Sequence, residues 1–360
     1  MANILDYLNW KGDITFDQVP LNEIDSLILS RLSYLPFDNL IKDGEYITIE
    51  EAYRRFVINE KKGVILQIED LELFPALAKC KRYKDIFITE YINKVSIKEE
   101  KQFSAITIFL PYNVIYVSYR GTDNTLVGWK EDLNMSFASH LPSQKDAVKY
   151  LNKIAKKFEK NIIVGGHSKG GNLAVYASIF CDKDVKERII AIYNEDGPGF
   201  DIEITETNEY KEIIKKVHTY IPQSSVFGRL LNHQETYVVI KSIANGIMQH
   251  DLYSWQVVNE NFEYLEKVTE TSNFINKSIR IWLEQVSIEQ REKFFNILFK
   301  ILISTEASTV EELSKGWFKM ARKIVKEYKM IDPENKEIVS KALHVFLKIV
   351  KDNIKESIVK

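Results

Sequence analysis

The run Ile162-Ile163-Val164-Gly165-Gly166-His167-Ser168-Lys169-Gly170-Gly171-Asn172-Leu173-Ala174-Val175-Tyr176-Ala177 decides the fold. Its first three residues are a short apolar stretch of the kind buried on both faces of a parallel sheet. From Leu173 to Phe180 the pattern turns helical. Between strand and helix stands Gly166-His167-Ser168-Lys169-Gly170, a Gly-x-Ser-x-Gly turn that lifts a serine to the top of a sheet. Bulky residues beside that serine would clash with strand and helix, so glycine fills both sides. The helix that starts there aims its amides at the negative charge developing during acyl transfer. Ser168 is therefore read as a nucleophile. A phosphate-binding loop is excluded, because that pattern ends in Gly-Lys-Ser/Thr whereas here the lysine follows the serine.

Working outward, Phe103–Leu110 and Val114–Tyr119 read as strands of a hairpin turning at Pro111-Tyr112-Asn113. A helix over about Gln144 to Lys160 carries Ala147, Leu151, Ile154 and Phe158 on one face. Three more strand-like runs follow the serine: Ile189–Tyr193, Val217–Ile221 and Thr236–Ile240. Strands alternating with helices indicate βαβ units and a largely parallel sheet. Before this core, up to about Ile97, the pattern is mostly helical. Leu21–Leu32 has helical spacing, Thr48-Ile49-Glu50-Glu51 has the form of a capping box, and Asp70 is placed to cap Leu71-Glu72-Leu73-Phe74. From about Asn259 helices return, with the apolar run Phe294–Leu302 and the amphipathic Ala342–Ile349 reading as a helical cap. The expected class is α/β: an α/β-hydrolase-type, mostly parallel sheet with helical N- and C-terminal extensions. The expected organisation is a helical region over 1–97, a hydrolase core over 98–258, and a helical region or cap over 259–360.

Composition narrows the function classes. With 49 Lys+Arg against 51 Asp+Glu, the net charge of −2 offers no whole-protein attraction to nucleic acid. No stretch approaches the roughly 18 apolar residues that a spanning helix needs. Two cysteines, Cys80 and Cys181, imply no disulfide framework. The first residues lack the basic flank and apolar run of a signal peptide, so a cytoplasmic location is expected. The abundance of Lys, Ile and Asn hints at an AT-rich bacterial genome.

A second segment, Ser118-Tyr119-Arg120-Gly121-Thr122 with Trp129 and Asp132-Leu133 downstream, resembles the class 3 (fungal-type) lipases. That resemblance implies that Thr122 supplies an oxyanion-hole N–H and hydroxyl, and that Asp132 orients the hydroxyl. The other donor is expected to be the backbone N–H of Lys169, directly after the nucleophile. Over roughly residues 20 to 260 the chain also resembles the Mbeg1-like family of bacterial proteins, on three motifs: Arg120-Gly121-Thr122, Gly166-His167-Ser168-Lys169-Gly170-Gly171-Asn172 and Gln249-His250-Asp251. This second resemblance implies an α/β-hydrolase fold and sets no substrate.

A base should follow the serine in the order Ser, acid, His. His218 lies inside a strand-like run, where a sheet role fits it better, and His233 sits in a connecting loop that could line a pocket. His250 follows the last strand and is the expected base. His167, next to the serine, should point away from it and be structural. The lipase resemblance implies an Asp within Gln223-Ser224-Ser225, where this chain has no carboxylate. Asp196, at the tip of the preceding strand, matches the position used by some pancreatic-type lipases and is the expected acid, with Glu195 as the alternate. Lys169 departs from the hydrophobic residue usual after the serine. Its side chain is expected to snorkel to solvent, or else to meet an acidic head group.

The expected activity is cleavage of a carboxylic ester or thioester of a small-molecule or lipid acyl substrate, through an acyl-enzyme on Ser168 and with no cofactor or metal. The oligomeric state is left open. The alternative, motivated by the missing lipase carboxylate, is a hydrolase-fold protein that binds without catalysing.

Overall fold

The strand that precedes Ser168 lies at the centre of a nine-stranded sheet in the computed structural model, which describes residues 2–59, 64–123, 126–135, 138–303, 330 and 332–358. By contacts the chain divides into two compact units, one of residues 1–94, 103–121 and 142–269, the other of 95–102, 122–141 and 270–360.

The first unit opens with helices α1 (Ile4–Lys11) and α2 (Glu23–Leu32), then strand β1 (Ile47–Thr48) and helices α3 (Ile49–Ile58) and α4 (Asp70–Lys79). Strands β2 (Phe87–Ser96), β3 (Lys101–Leu110) and β4 (Val114–Tyr119) follow. Helix α5 (Leu126–Asn134) belongs to the second unit. Helix α6 (Pro142–Lys157), strand β5 (Asn161–His167), helices α7 (Lys169–Phe180) and α8 (Lys183–Arg188), and strand β6 (Ile189–Glu195) come next. Short helices α9 (Ile202–Thr205) and α10 (Asn208–Ile213) lead to β7 (Val217–Pro222), β8 (Tyr237–Ile240), β9 (Val257–Val258), β10 (Asn261–Phe262) and β11 (Tyr264–Leu265). The sheet order is β1-β2-β3-β4-β5-β6-β7-β8-β11. Strands β4 to β8 pair in parallel, whereas β3 is antiparallel to β4 and β11 to β8.

Period-two alternation builds two cores. Ile106, Ile108, Tyr116 and Ile163 pack against the N-terminal helices. Their neighbours Ala105, Ile115, Val117, Ile162 and Val164 pack on the other face with Leu151, Ile154, Leu173 and Ala177 of α6 and α7. Each fully buried Ile or Val contributes about 1.5–3 kcal/mol relative to exposure, so a sheet covered on both faces is the main store of stability. The β3–β4 hairpin turns through Tyr112 and Asn113 at φ 59° and 61°. The Tyr112 hydroxyl, which donates to the Asp17 carbonyl at 3.0 Å, helps to hold a conformation unusual for an aromatic residue.

Two expectations for the N-terminal region change. Residues 87–96 form strand β2 of the sheet, although the stretch reads as part of a mostly helical region. Asp70 is not a cap: it lies in the first turn of α4, wholly buried, and forms a bidentate ion pair with Arg31 of α2 at 2.7 and 2.6 Å. Buried guanidinium attracts buried carboxylate more strongly than an exposed helix terminus can. Thr48 does cap α3, accepting from the Glu51 N–H at 3.1 Å, while the Glu51 carboxylate turns to Arg54 and Arg55 instead of closing the box.

In the second unit, helices α11 (Glu270–Gln285), α12 (Ile288–Ile303) and α13 (Pro333–Ile358) pack around Trp282, Val286, Phe295, Ala342 and Ile349. The Trp282 indole N–H donates to the Ala342 carbonyl at 2.9 Å, so α11 and α13 share a hydrogen bond at their contact. No helix among the described residues is long and apolar enough to cross a membrane.

Candidate active site

Ser168 sits between β5 and α7 with φ 61° and ψ −134°, a conformation that costs a non-glycine residue of order 1–3 kcal/mol. Backbone bonds hold it there: its N–H donates to the Glu195 carbonyl at 2.8 Å, and its carbonyl accepts from Gly171 N–H at 2.9 Å. The flanking glycines are required sterically. A Cβ on Gly166 would lie 2.4 Å from the Gly170 carbonyl, and one on Gly170 would lie 2.2 Å from the Tyr119 oxygen. The Tyr34 hydroxyl, from the turn after α2, accepts from Gly121 N–H at 2.9 Å and donates to the His167 carbonyl at 3.1 Å. One side chain thus ties the end of β4 to the end of β5.

The serine, the histidine and the acid expected from the sequence meet. Ser168 Oγ lies 2.8 Å from His250 Nε2, and His250 Nδ1 lies 2.5 Å from Asp196 Oδ2. A carboxylate only accepts, so Nδ1 carries the proton donated to Asp196 and Nε2 is left to accept from the serine hydroxyl. Asp196 is wholly buried at the tip of β6 with φ 53°. Its Oδ1 accepts from Ser225 Oγ at 2.5 Å and from Gly228 N–H at 3.1 Å. The Gln223-Ser224-Ser225 stretch that lacks a carboxylate therefore contributes instead to holding one supplied by the neighbouring strand. The sequence marks Ser225 only as part of a stretch without a carboxylate, and no motif there signals that its hydroxyl holds Asp196.

Glu195, the alternate acid, points elsewhere. Successive strand residues face opposite sides of a sheet, and the Glu195 carboxyl is buried beneath α2, where Ser26 Oγ donates to Oε1 at 2.9 Å while Oε2 has no partner. Burial pushes its pKa up to about 8 from the usual 4.5. A raised folded-state pKa means that the folded chain keeps a proton the unfolded chain releases. The contribution to stability is therefore complete below about pH 4.5 and is lost as pH rises through about 8. Glu195→Gln, which cannot ionise, is expected to flatten the fall of the urea midpoint across that window. Parallel curves for the two proteins would refute this.

His218, His233 and His167 have other partners. His218 lies in β7, exposed and stacked on Tyr193 at 5.2 Å. His233 Nδ1 bonds to Glu235 at 2.8 Å. His167 is buried and donates from Nε2 to the His250 carbonyl at 2.8 Å. Asp251 accepts from Gln67 and caps Tyr253, turned away from His250.

Lys169 corrects an expectation. Its residue is 1% exposed, so the side chain does not snorkel to solvent. Helix α7 is buried from Lys169 to Ile179, and its first turn offers no way out. The Lys169 N–H stands in the first turn of α7, directly after Ser168. Within the second unit, Thr122 Oγ1 donates to the Asp132 carboxylate, 2.7 and 2.6 Å from its two oxygens.

The model of the Mbeg1-like family matches residues 77–300, more than half of the chain. No curated protein matches. Among solved structures, a mutant of MDLA from Penicillium cyclopium is similar at 12% identity, over 66% of this chain and 83% of that one, with a TM-score of 0.40. A fungal lipase is similar at 12% identity over 69% and 87%, also at 0.40. The lipase of Rhizomucor miehei in its propeptide complex is similar at 14% identity over 52% and 63%, at 0.35.

Proposed function

The chain belongs to the Mbeg1-like family, and we propose that it is a serine hydrolase that cleaves a carboxylic ester or thioester. The observation that carries this reading is the continuous relay from Ser168 Oγ through His250 to a buried Asp196, at 2.8 and 2.5 Å. His250 Nε2 takes the serine proton as Oγ adds to the acyl carbon, and returns it to the leaving oxygen or sulfur. Asp196 keeps the productive tautomer and stabilises the imidazolium formed in between. The oxyanion is received by the N–H of Lys169, directly after the nucleophile. Water then resolves the acyl-enzyme by the same steps reversed. The substrate is a small-molecule or lipid acyl compound, and the scheme calls on no cofactor or metal. The competing reading, a binding protein that retains the fold, rests on the carboxylate absent at Gln223-Ser224-Ser225; the Asp196–His250 hydrogen bond supports the hydrolase reading instead.

A fluorophosphonate probe tests the nucleophile directly. The wild type is expected to be labelled on Ser168, and Ser168→Ala is expected to lose labelling altogether. Equal labelling of both, or of neither, would overturn the reading. A series of p-nitrophenyl esters of increasing acyl length then reports turnover and the depth of the acyl site together.

A further inference from the structure

His250 is gripped by more than its two hydrogen bonds. Those bonds occupy the nitrogen edge of the imidazole and leave its two faces for packing. The Phe227 ring lies 4.4 Å from the His250 ring, centroid to centroid, at an interplanar angle of 41°. The His167 ring lies at 4.6 Å and 33°. Both rings therefore pack directly against the imidazole. They come from unrelated elements: His167 ends β5, and Phe227 follows β7 in the same turn whose Ser225 and Gly228 hold Asp196.

The two neighbours differ in electrostatics. The His167 Nε2–H donates to the backbone carbonyl of His250, so Nδ1 is the bare nitrogen of a neutral ring, buried and without a partner. Burial, the neighbouring His250 and Arg31 all hold His167 well below the usual imidazole range. It therefore brings no positive charge to the face it covers. Phe227 is a neutral aromatic ring, whose electron-rich face attracts a cation placed over it.

Resting on the function proposed above, we propose that Phe227 and His167 are positioning residues forming an aromatic clamp on the base. In it, His167 fixes the plane and backbone of His250, and Phe227 favours its imidazolium form. The clamp acts on the charge that appears during the reaction, which separates it from mere filling of space.

The test is the pH dependence of kcat/KM for a p-nitrophenyl ester in the wild type, Phe227→Leu and Phe227→Tyr. Leucine keeps apolar bulk and removes the π face. It is expected to move the acid limb down by about half a unit to one unit and to lower kcat roughly 3- to 10-fold with KM little changed. Tyrosine is expected to restore both. An acid limb unmoved in Phe227→Leu overturns the clamp, whatever happens to kcat. The same comparison is made by NMR titration of the His250 ring carbon in the two folded proteins, which needs no substrate. Absence of turnover with a shifted titration would then count against the hydrolase reading alone. An unshifted titration would count against the clamp alone.

Discussion

Replacing Asp196 by Asn is expected to lower kcat/KM by about 10³–10⁴-fold while leaving the fold and KM nearly unchanged. The reason lies in proton bookkeeping at His250. Asp196 accepts from Nδ1–H, which leaves Nε2 unprotonated beside Ser168 Oγ. An amide of the same shape can turn its NH₂ toward Nδ1, which stabilises the tautomer with the proton on Nε2 and removes the acceptor that the serine needs. It also withdraws the negative charge that faces the imidazolium in the transition state. KM changes little, because Asp196 is wholly buried behind the histidine. The measurement is steady-state hydrolysis of an activated ester, with the rate of fluorophosphonate labelling as a second readout. A loss smaller than tenfold would mean that the acid works from elsewhere. Glu195→Gln is the matched control, since that carboxyl faces Ser26 on the other side of the sheet.

Asp70→Ala is expected to cost about 3–5 kcal/mol of folding stability, read from urea unfolding at neutral pH. Arg31 and Asp70 are among the most buried charges in the first unit, with side-chain exposures of 4% and 0%. Removing the carboxylate leaves a guanidinium in an apolar setting with no counter-charge, and that desolvation dominates the effect. By comparison, Glu51→Ala breaks contacts to Arg54 and Arg55, whose side chains are 69% and 29% exposed, so a change of about 1 kcal/mol or less is expected there. A loss below about 1 kcal/mol for Asp70→Ala would show that the pair is solvated in solution. The same substitution reaches the site. The Tyr253 hydroxyl donates to Asp70 at 2.8 Å, and Gln67, just before α4, donates to Asp251 at 3.1 Å. Helices α2 and α4 thus anchor the segment that follows His250. The N-terminal helices, together with the Tyr34 contact to β4 and β5, are part of what holds the site in place.

Much of this was legible in the residue order. A strand that ends in Gly-x-Ser-x-Gly and resumes as a helix fits few backbones, and the clash distances at Gly166 and Gly170 show why. The hairpin, the parallel strands and the position of Ser168 all followed from such local chemistry. His250 followed from the order along the chain and its place after the last strand, whereas Asp196 came from the likeness of its strand-tip position to that of some pancreatic-type lipases.

Other features are pairings between residues far apart in sequence, and only the tertiary structure decided them. Strand β2 lies in a stretch that reads as part of a mostly helical region, and its place beside β3 is settled by packing. Asp70 looks like a cap until Arg31 is brought to it across the α2–α4 contact. Lys169 looks solvent-bound until α7 is seen to be buried from its first turn. Ser225 holding Asp196, and Phe227 and His167 covering His250, are likewise invisible in one dimension. The sequence by itself determined where the strained serine turn must stand, because backbone strain and glycine placement are local. Which side chains surround His250 was decided by the tertiary structure alone, because burial, desolvation and ring packing depend on what the folded chain brings alongside.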